Sequence, residues 1–388
     1  MLGRKVMNKK FVVHHVGARN GSRGFPVIKE LECDIQTVFY EASEDGNDQI
    51  ISQAKRNGTV ESILVNECIG SRREIRNFYF NRDPFMSSLY PANVDYSDYY
   101  NDLSDYDNLM AQILEPIEVL TVNTLSLDEV ISTKGLPACN FLSIDVQGGE
   151  LDVLKGSENT LREASGVLLE VEFSEMYKSQ PLFGEVDEFL RSSGFKFIRF
   201  LGFQEWAPRT VSIDGRGKKM HVAADALYLK DWKCVEEEKI DTLIFSAISF
   251  GQTEFALEVV RQKNYINSDF PEGSWRAFVG KFIMLTKGLD EFPPTFSDVY
   301  SINQSLGRFK ENYVPPARKY AIAEGFFRLW RSVPVSIRPK ANRALRSIGN
   351  FVKTLQRLMS RSSELEKHFS GVGLKSVANE LRKSRLRG

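Results

Sequence analysis

The chain of 388 residues is longer than one hydrophobic core usually serves, so its length predicts one large domain and an accessory region. Its 42% hydrophobic and 26% charged residues are typical of a globular protein and exclude a largely disordered one. The net charge of the whole chain is zero, but its charges are unevenly distributed. Residues 331–388 contain 14 Lys and Arg but only 3 Asp and Glu, whereas residues 1–330 contain 37 Lys and Arg and 48 Asp and Glu. We therefore expect an acidic main body and a basic tail.

Two features of the sequence bear on its compartment. No apolar run approaches the roughly 18 residues of a membrane-spanning helix, and the basic first ten residues lead into only three apolar ones, which argues against a secretory signal. The four cysteines show neither C-x-x-C spacing nor a pairing pattern, which favours reduced thiols. We therefore expect a cytoplasmic protein.

The first strand is predicted at residues 11–16 and runs into a turn of small residues. Gly17 and Gly21 in this turn would let the backbone approach a ligand closely, and the helix that follows would offer its amide groups to a polar or anionic part of it. A G-x-x-x-G turn also occurs as an ordinary connection between a strand and a helix. By itself it leaves both interpretations open.

A second strand is predicted at residues 37–42, and it carries an acid near its end. Glu41 follows the glycine turn by some twenty residues, which is the spacing of a carboxylate that binds the ribose hydroxyls of an adenosine cofactor. The alternative is a solvated acid at a strand end.

The stretch from Phe141 to Glu150 is the one around which the chain is organised. An apolar run ends in Asp145, two glycines follow, and Glu150 opens a helical pattern, so we expect a buried strand that turns tightly into a helix. Open α/β sheets bind their ligands at the carboxyl ends of such strands. Asp145 is therefore a candidate site residue, with a helix-capping carboxylate as the alternative.

The remaining pattern completes an α/β fold. A strand is predicted at 61–70, an exposed edge strand at 118–125, a helix with Ser126 as its N-cap, a strand at 166–173, an amphipathic helix at 181–193, and a closing hairpin of strands 195–201 and 223–229. Residues 90–107, rich in Tyr and Asp, suit either a lid over a sugar or a solvated insertion. We predict a catalytic domain over residues 1–235, a helical accessory region over 236–330 and a tail over 331–388.

Residues 143–156, Ser-Ile-Asp-Val-Gln-Gly-Gly-Glu-Leu-Asp-Val-Leu-Lys-Gly, resemble the signature of the FkbM-type methyltransferases, which use S-adenosylmethionine. The resemblance spans about residues 11–232 and implies a Rossmann-like class I methyltransferase sheet, mostly parallel, of seven strands with an antiparallel edge hairpin. Val-Gly-Ala-Arg-Asn-Gly, residues 16–21, resembles the family's first glycine motif and adds Ala18 to the predicted cofactor contacts. His15 stands where the family usually has an acid, so either the histidine substitutes for it or cofactor affinity is lower.

Two positions suggest roles in catalysis. Asp145, at the carboxyl end of the central strand, would orient the acceptor or act as the base, and it is also a predicted cofactor contact; His221, just before the last strand, is an alternative base. Ser88 lies in a Ser-Ser-Leu that the family often carries near the cofactor or substrate, although capping of local backbone would also explain it. A divalent metal is the less favoured version of the site; its further ligands would come from Glu170, Glu172 and Asp225.

The predicted function is O-methyl transfer from S-adenosylmethionine to a hydroxyl of a sugar, a polysaccharide or glycolipid, or a related natural product. The alternative is a methyltransferase-like binding or scaffold protein that has lost catalysis, motivated by His15. A nicotinamide oxidoreductase is disfavoured because the first turn lacks G-x-G-x-x-G. The expected partner is a small-molecule or glycan acceptor and not a nucleic acid, and the sequence leaves the oligomeric state open.

The tail contains an amphipathic helical pattern with a basic side. Its apolar positions are Leu345, Ile348, Val352, Leu355 and Met359, and the Lys and Arg residues fall mostly on the opposite face. Such a helix either contacts an anionic membrane, which would place the protein at the inner membrane face, or packs on the acidic main body.

Overall fold

The computed structural model describes residues 9–44, 46–95, 100–102, 108–208, 220–268, 270–287, 289 and 296–307. All of these residues belong to one compact unit. The predicted basic helix of the tail lies outside the described residues, as do positions 96–99 and 103–107 of the segment rich in Tyr and Asp.

Twelve strands are found in the described part of the chain. They are Phe11–Val16 (β1), Ile35–Glu41 (β2), Glu61–Asn66 (β3), Cys68–Gly70 (β4), Glu74–Asn81 (β5), Tyr100–Asp102 (β6), Asn108–Leu109 (β7), Pro116–Ser126 (β8), Phe141–Ile144 (β9), Gly166–Glu172 (β10), Phe195–Pro208 (β11) and Met220–Lys230 (β12).

The main sheet has the order β3-β2-β1-β9-β10-β12-β11, and the short strands β6 and β7 extend it beyond β11. Strands β3, β2, β1, β9 and β10 are parallel, whereas β12 runs antiparallel to both β10 and β11. This is the predicted α/β architecture, a mostly parallel sheet of seven strands with a closing antiparallel hairpin, and it is confirmed. The chain builds outward from β1 to β3 and then crosses back to β9, so β1 and β9 flank the point where the strand order reverses.

A second sheet was not predicted as such. The predicted strand 61–70 is divided at Glu67, and its second part, β4, joins β8 and β5 in a three-stranded sheet of order β4-β8-β5. Strand β8 is the central strand, but β4 pairs with only its last three residues, so β4 does not cover residues 116–123 on the side away from β5. The prediction of an exposed edge strand at 118–125 is therefore correct for residues 118–123 and wrong for residues 124 and 125, which pair with β4 and are buried.

Ten α-helices lie in the described part of the chain. They are Asn47–Arg56 (α1), Met110–Ile113 (α2), Leu127–Lys134 (α3), Glu150–Lys155 (α4), Glu158–Glu163 (α5), Phe183–Ser192 (α6), Ile240–Ser249 (α7), Thr253–Lys263 (α8), Trp275–Thr286 (α9) and Phe296–Ser305 (α10). Ser126 caps α3 as predicted, since its Oγ accepts a hydrogen bond of 3.2 Å from Glu129 N. Asp128 caps the neighbouring helix α5 through the amides of Asn159 and Thr160.

Both faces of the main sheet are covered, as the continuous apolar strands require. Because side chains alternate along β1, Val12 and Val16 face one core with α3 to α6, and Phe11 and Val13 face another. The second core is built from residues of α7 to α10, so the helices after residue 235 pack on the sheet within the same compact unit.

One contact shows how firmly this helical layer is attached. Trp275 at the start of α9 is fully buried, its backbone N donates to Asp34 at 2.6 Å and its Nε1 donates to the Lys9 carbonyl at 2.9 Å. Among the described residues, no helix is both long and apolar enough to cross a membrane.

Candidate active site

The carboxyl ends of β1 and β9 meet in close backbone contact. Asp145 N donates to the Val16 carbonyl at 2.9 Å, and Gly17 N donates to the Tyr40 carbonyl at 3.1 Å. Gly17 has a φ of 89°, and a Cβ placed on it would lie 1.7 Å from the backbone oxygen of Asp145. A residue without a side chain is therefore required where the glycine turn crosses the central strand.

A cavity of about 220 Å³ opens at this point of the sheet. Of the predicted site residues, Gly17, Glu41 and Asp145 line it, and so does Glu170, which was predicted only as a possible metal ligand. Its other walls include Arg19, Asn20, Glu67, Cys68, Ile69, Phe78, Phe85, Met86, Ser87, Gln147 and Gln204. Ligands of open α/β sheets bind at such a reversal of strand order, so this cavity is the candidate active site.

Glu41 ends β2 and is only 7% exposed. Its Oε1 accepts a hydrogen bond of 3.4 Å from Ser43 N, and Arg19 Nη1 lies 3.8 Å away. Burial raises the pKa of Glu41, an effect that Arg19 and the backbone amides of Ser43 and Ala42 oppose. A buried carboxylate on a cavity wall is suited to accept hydrogen bonds from ligand hydroxyls.

Gln147 joins two acids on the other side of the cavity. Its Nε2 donates to Asp145 Oδ1 at 2.9 Å and to Glu170 Oε2 at 3.0 Å. Gln204, from β11, also donates to Glu170 through its amide. The site thus combines the motif after β9 with residues of β10 and β11.

Burial and like charges act together on these acids. The pKa of Glu170 is raised well above its usual value by burial first, and then by Asp145, Glu150 and Asp225. Burial also raises the pKa of Asp145, with a smaller contribution from Asp225, while the Gln147 amide opposes the shift. Protons are therefore held more tightly here than on exposed carboxyl groups.

Two predicted cofactor residues do not line the cavity. Ala18 is fully buried and packs with Phe39, Ile50 and Ala54 against α1. Gly21 has a φ of 64°, and a Cβ there would lie 2.7 Å from Cβ of Gln53 in α1. Ala18 and Gly21 therefore pack the glycine turn against α1 and do not form the wall of the cavity.

The predicted serine and histidine also lie away from the cavity wall. Ser88 is fully buried, and its Oγ donates to the Gln147 carbonyl at 2.6 Å, whereas its neighbour Ser87 lines the cavity. His221 is on β12, about half exposed, beside Glu205 and the ring of Phe203. The structure does not bring His221 together with Asp145.

His15, the departure from the family pattern, is not on the cavity wall. It is 2% exposed, and its Nδ1 lies 2.9 Å from Ser143 Oγ on the neighbouring strand. Burial lowers the pKa of both His15 and His14 to about 4, so both imidazoles are neutral at physiological pH. His15 therefore contributes to the packing between β1 and β9.

A metal ion was the less favoured prediction for this site. In the described part of the chain, no three His, Cys, Asp or Glu side chains are grouped so that they could hold an ion. The residues present fit an adenosine cofactor. They offer a buried acid at the end of β2, Gly17 without a side chain directly after β1, and apolar walls from Ile69, Phe78 and Met86.

Sequence reasoning missed Gln147 and Gln204 and placed Glu170 only among metal ligands. One signal was available in the sequence: Gln147 lies inside the motif that follows the central strand. In the structure its φ is 58°, in a region that non-glycine residues rarely adopt. Gln204 and Met86 carry no local signal, because their positions depend on how distant segments pack.

The strand order and the cavity at its reversal define a class I methyltransferase fold. Residues 15–197, just under half of the chain, match the family described as Methyltransferase FkbM domain, and this match confirms the resemblance seen in the sequence.

One curated relative matches a short segment of the chain. The hexuronic acid methyltransferase AglP of Haloferax volcanii is 38% identical over 52 residues, which are 13% of this chain and 22% of that protein. The chain thus matches about a fifth of the length of this curated relative.

Two solved structures are similar at low sequence identity. Methyltransferase FkbM from Methylobacillus flagellatus is 12% identical in sequence. The match covers 57% of this chain and 44% of that protein's chain, with a TM-score of 0.29. Magnesium protoporphyrin IX methyltransferase from Synechocystis, solved with bound SAH, is 9% identical in sequence. The match covers 58% of this chain and 76% of that protein's chain, with a TM-score of 0.28.

Proposed function

We propose that the protein is an S-adenosylmethionine-dependent O-methyltransferase that acts on a hydroxyl group of a sugar, a polysaccharide or glycolipid, or a related natural product. One observation carries the proposal. Within an FkbM domain, three residues selected from the sequence, Gly17, Glu41 and Asp145, line a single cavity where the strand order reverses.

Residues of this chain would bind the cofactor. Glu41 would accept hydrogen bonds from the ribose hydroxyls, and the turn at Gly17 leaves room for the cofactor at the backbone. When bound, S-adenosylmethionine supplies an electrophilic methyl group; the acceptor oxygen bonds to the methyl carbon as the carbon–sulfur bond breaks and leaves its electron pair on sulfur. The protein must then align the acceptor hydroxyl and remove its proton.

Asp145 is the first candidate for this second task. It lies at the carboxyl end of the central strand, its side chain is partly exposed to the cavity, and its Oδ1 is held by Gln147. A carboxylate held in this way can accept the proton of an acceptor hydroxyl and keep the hydroxyl oriented.

Two observations bear on the acceptor. The name of the curated relative in Haloferax volcanii refers to a hexuronic acid, which supports a sugar acceptor for this chain. In the described residues, Arg19 is the single Lys or Arg on the cavity wall, and it faces Glu41. A neutral hydroxylated acceptor suits these walls better than one that carries a carboxylate.

Two measurements test the proposal. Isothermal titration with S-adenosylmethionine should show binding, and incubation with methyl-labelled cofactor and cell extract should give a labelled small molecule or glycan. A protein that binds the cofactor but transfers no label would support the alternative of a binding or scaffold protein. Turnover that is unchanged by a chelator would support the metal-free version of the site.

The carboxylate of Glu41 provides a direct test of the cofactor site. Glu41→Ala should weaken binding of S-adenosylmethionine by about 1 to 3 kcal/mol, because a charged hydrogen-bond acceptor is lost. Glu238→Ala, which removes an exposed acid distant in sequence, is the control and should leave affinity unchanged. Equal affinities for wild type and Glu41→Ala in the titration would remove Glu41 from the site.

Contact with an anionic membrane remains part of the proposal and depends on the tail. Reversing Arg346, Lys353 and Arg357 to Glu should abolish co-sedimentation with vesicles rich in phosphatidylserine, because attraction to the headgroups is lost. Raised salt should weaken binding of the wild type for the same reason. Reversal of the exposed Lys29, Lys55 and Lys155 is the control. Unchanged sedimentation of the tail variant would exclude the membrane role.

A further inference from the structure

Gln147 occupies an unusual position in the site. Its backbone φ is 58°, and only 9% of the residue is exposed to solvent. Its backbone carbonyl accepts a hydrogen bond of 2.6 Å from Ser88 Oγ. A left-handed backbone conformation is costly for a residue with a side chain, so it persists only where the surroundings enforce it.

The side-chain amide of Gln147 is fully engaged, and its partners fix its orientation. Nε2 donates to Asp145 and to Glu170, while Oε1 lies 3.2 Å from Tyr177 Oη, whose single proton also has the Met86 carbonyl as an acceptor at 2.9 Å. Because both carboxyl groups accept from the amide, its nitrogen lies between them. Asp145 and Glu170 therefore lie against the same nitrogen atom.

The groups that face this pair are mostly acidic. Asp225 of β12 lies opposite Glu170, Glu172 follows on β10, and Glu150 begins α4. The other polar neighbours are neutral amides and a phenol: Gln147, Gln204, Gln180 and Tyr177. The one cationic side chain on the described cavity wall, Arg19, is on the Glu41 side.

Two carboxyl groups that meet at one nitrogen without a cation between them do not both ionise readily, because each charge disfavours the other. The arrangement favours one proton shared by the pair and one negative charge. The raised pKa of each acid agrees with this distribution.

Resting on the proposed function, we propose that Asp145 and Glu170 form a carboxyl pair that receives the proton of the acceptor hydroxyl, and that Gln147 is the positioning residue that holds the pair together. Glu170 then becomes a catalytic residue beside Asp145. In this step the acceptor O–H bond breaks, its electron pair stays on oxygen for the new bond to the methyl carbon, and the proton bonds to the ionised carboxylate of the pair.

The substitution Gln147→Glu tests the positioning role, because it keeps the shape but adds a third acid and removes both amide donors. Both changes raise the pKa of the pair, so the ionised base should form only at higher pH. The acid limb of kcat/KM, measured by transfer of labelled methyl groups, should move to higher pH by about one unit or more. Gln304→Glu makes the same chemical change on the exposed surface of α10 and should leave the limb in place.

A second readout uses the cofactor-free protein. If the folded pair holds one proton that the unfolded chain releases, the unfolding equilibrium constant should rise about tenfold more per pH unit than it does without the pair, at pH values above the ordinary pKa of a carboxyl group and below the raised pKa of the pair. Glu170→Gln should therefore reduce the proton release on unfolding by about one, as measured by urea denaturation at several pH values. Glu254→Gln, an exposed acid on α8, is the control.

The outcomes separate the inference from the function on which it rests. A wild type that neither binds S-adenosylmethionine nor transfers a methyl group would overturn the proposed function, while the proton release would still report on the pair. An active wild type whose acid limb is unmoved by Gln147→Glu would overturn the inference. So would unchanged proton release in Glu170→Gln.

Discussion

Replacing Asp145 with asparagine should lower kcat by about 10² to 10⁴-fold, the usual contribution of a general base, and leave the affinity for S-adenosylmethionine nearly unchanged. Asparagine keeps the shape of the side chain, and its Oδ1 can still accept the hydrogen bond from Gln147. The charge that would take up the hydroxyl proton is lost. Single-turnover transfer of labelled methyl groups and isothermal titration measure the two quantities separately.

The stability of the same variant distinguishes catalysis from architecture. Burial raises the pKa of Asp145, so the folded state binds its proton more tightly than the unfolded state and loses stability as pH rises through this pKa. Asparagine removes that loss, and Asp145→Asn should therefore unfold at or above the wild-type temperature at pH 8. Asp48→Asn, on the exposed surface of α1, is the control. Normal turnover with early melting would make Asp145 a structural residue.

Gly17→Ala should destabilise the protein by about 3 kcal/mol or more and abolish cofactor binding. The added Cβ would lie 1.7 Å from the backbone oxygen of Asp145 and 2.6 Å from its carbonyl carbon, and the backbone would also be held at a φ of 89°. Since backbone atoms of a central strand cannot move aside independently, either the glycine turn or β9 must shift.

A matched glycine separates the clash from the backbone strain. Gly135, after α3, has a φ of 60°, and a Cβ there would meet nothing within 4 Å. Gly135→Ala should therefore cost only the left-handed conformation, about 1 to 2 kcal/mol. Urea denaturation of both variants measures the difference. If the two variants lost equal free energy of unfolding, the close approach of β1 and β9 would not be what restricts position 17 to glycine.

The sequence was sufficient to select those candidate residues on the cavity wall that follow directly on strands. Gly17, Glu41 and Asp145 each come at or just after the end of an apolar segment, and parallel strands bring their carboxyl ends to one edge of a sheet. Local pattern therefore placed all three in the same cavity before any contact was known.

The same local patterns could not separate residues that line the cavity from residues that support it. Ala18 and Gly21 belong to the glycine motif but pack on α1, and Ser88 binds the backbone of Gln147 while Ser87 reaches the cavity. Neighbours in sequence point in different directions, and the direction depends on the packing of another element. The membership of β8 in a separate sheet is non-local for the same reason.

The sequence by itself thus determined the α/β class, the central strand and the acids at its edge, because strand periodicity and strand ends are properties of short segments. The tertiary structure decided that Gln147 joins Asp145 to Glu170, that Gln204 reaches the same acid from β11, and that helices after residue 235 cover the second face of the sheet. These contacts unite segments that are 23 to more than 200 residues apart, as the separations of Gln147 from Glu170 and of Trp275 from Asp34 show. Such pairings are set by which surfaces bury one another, and no short segment carries that information.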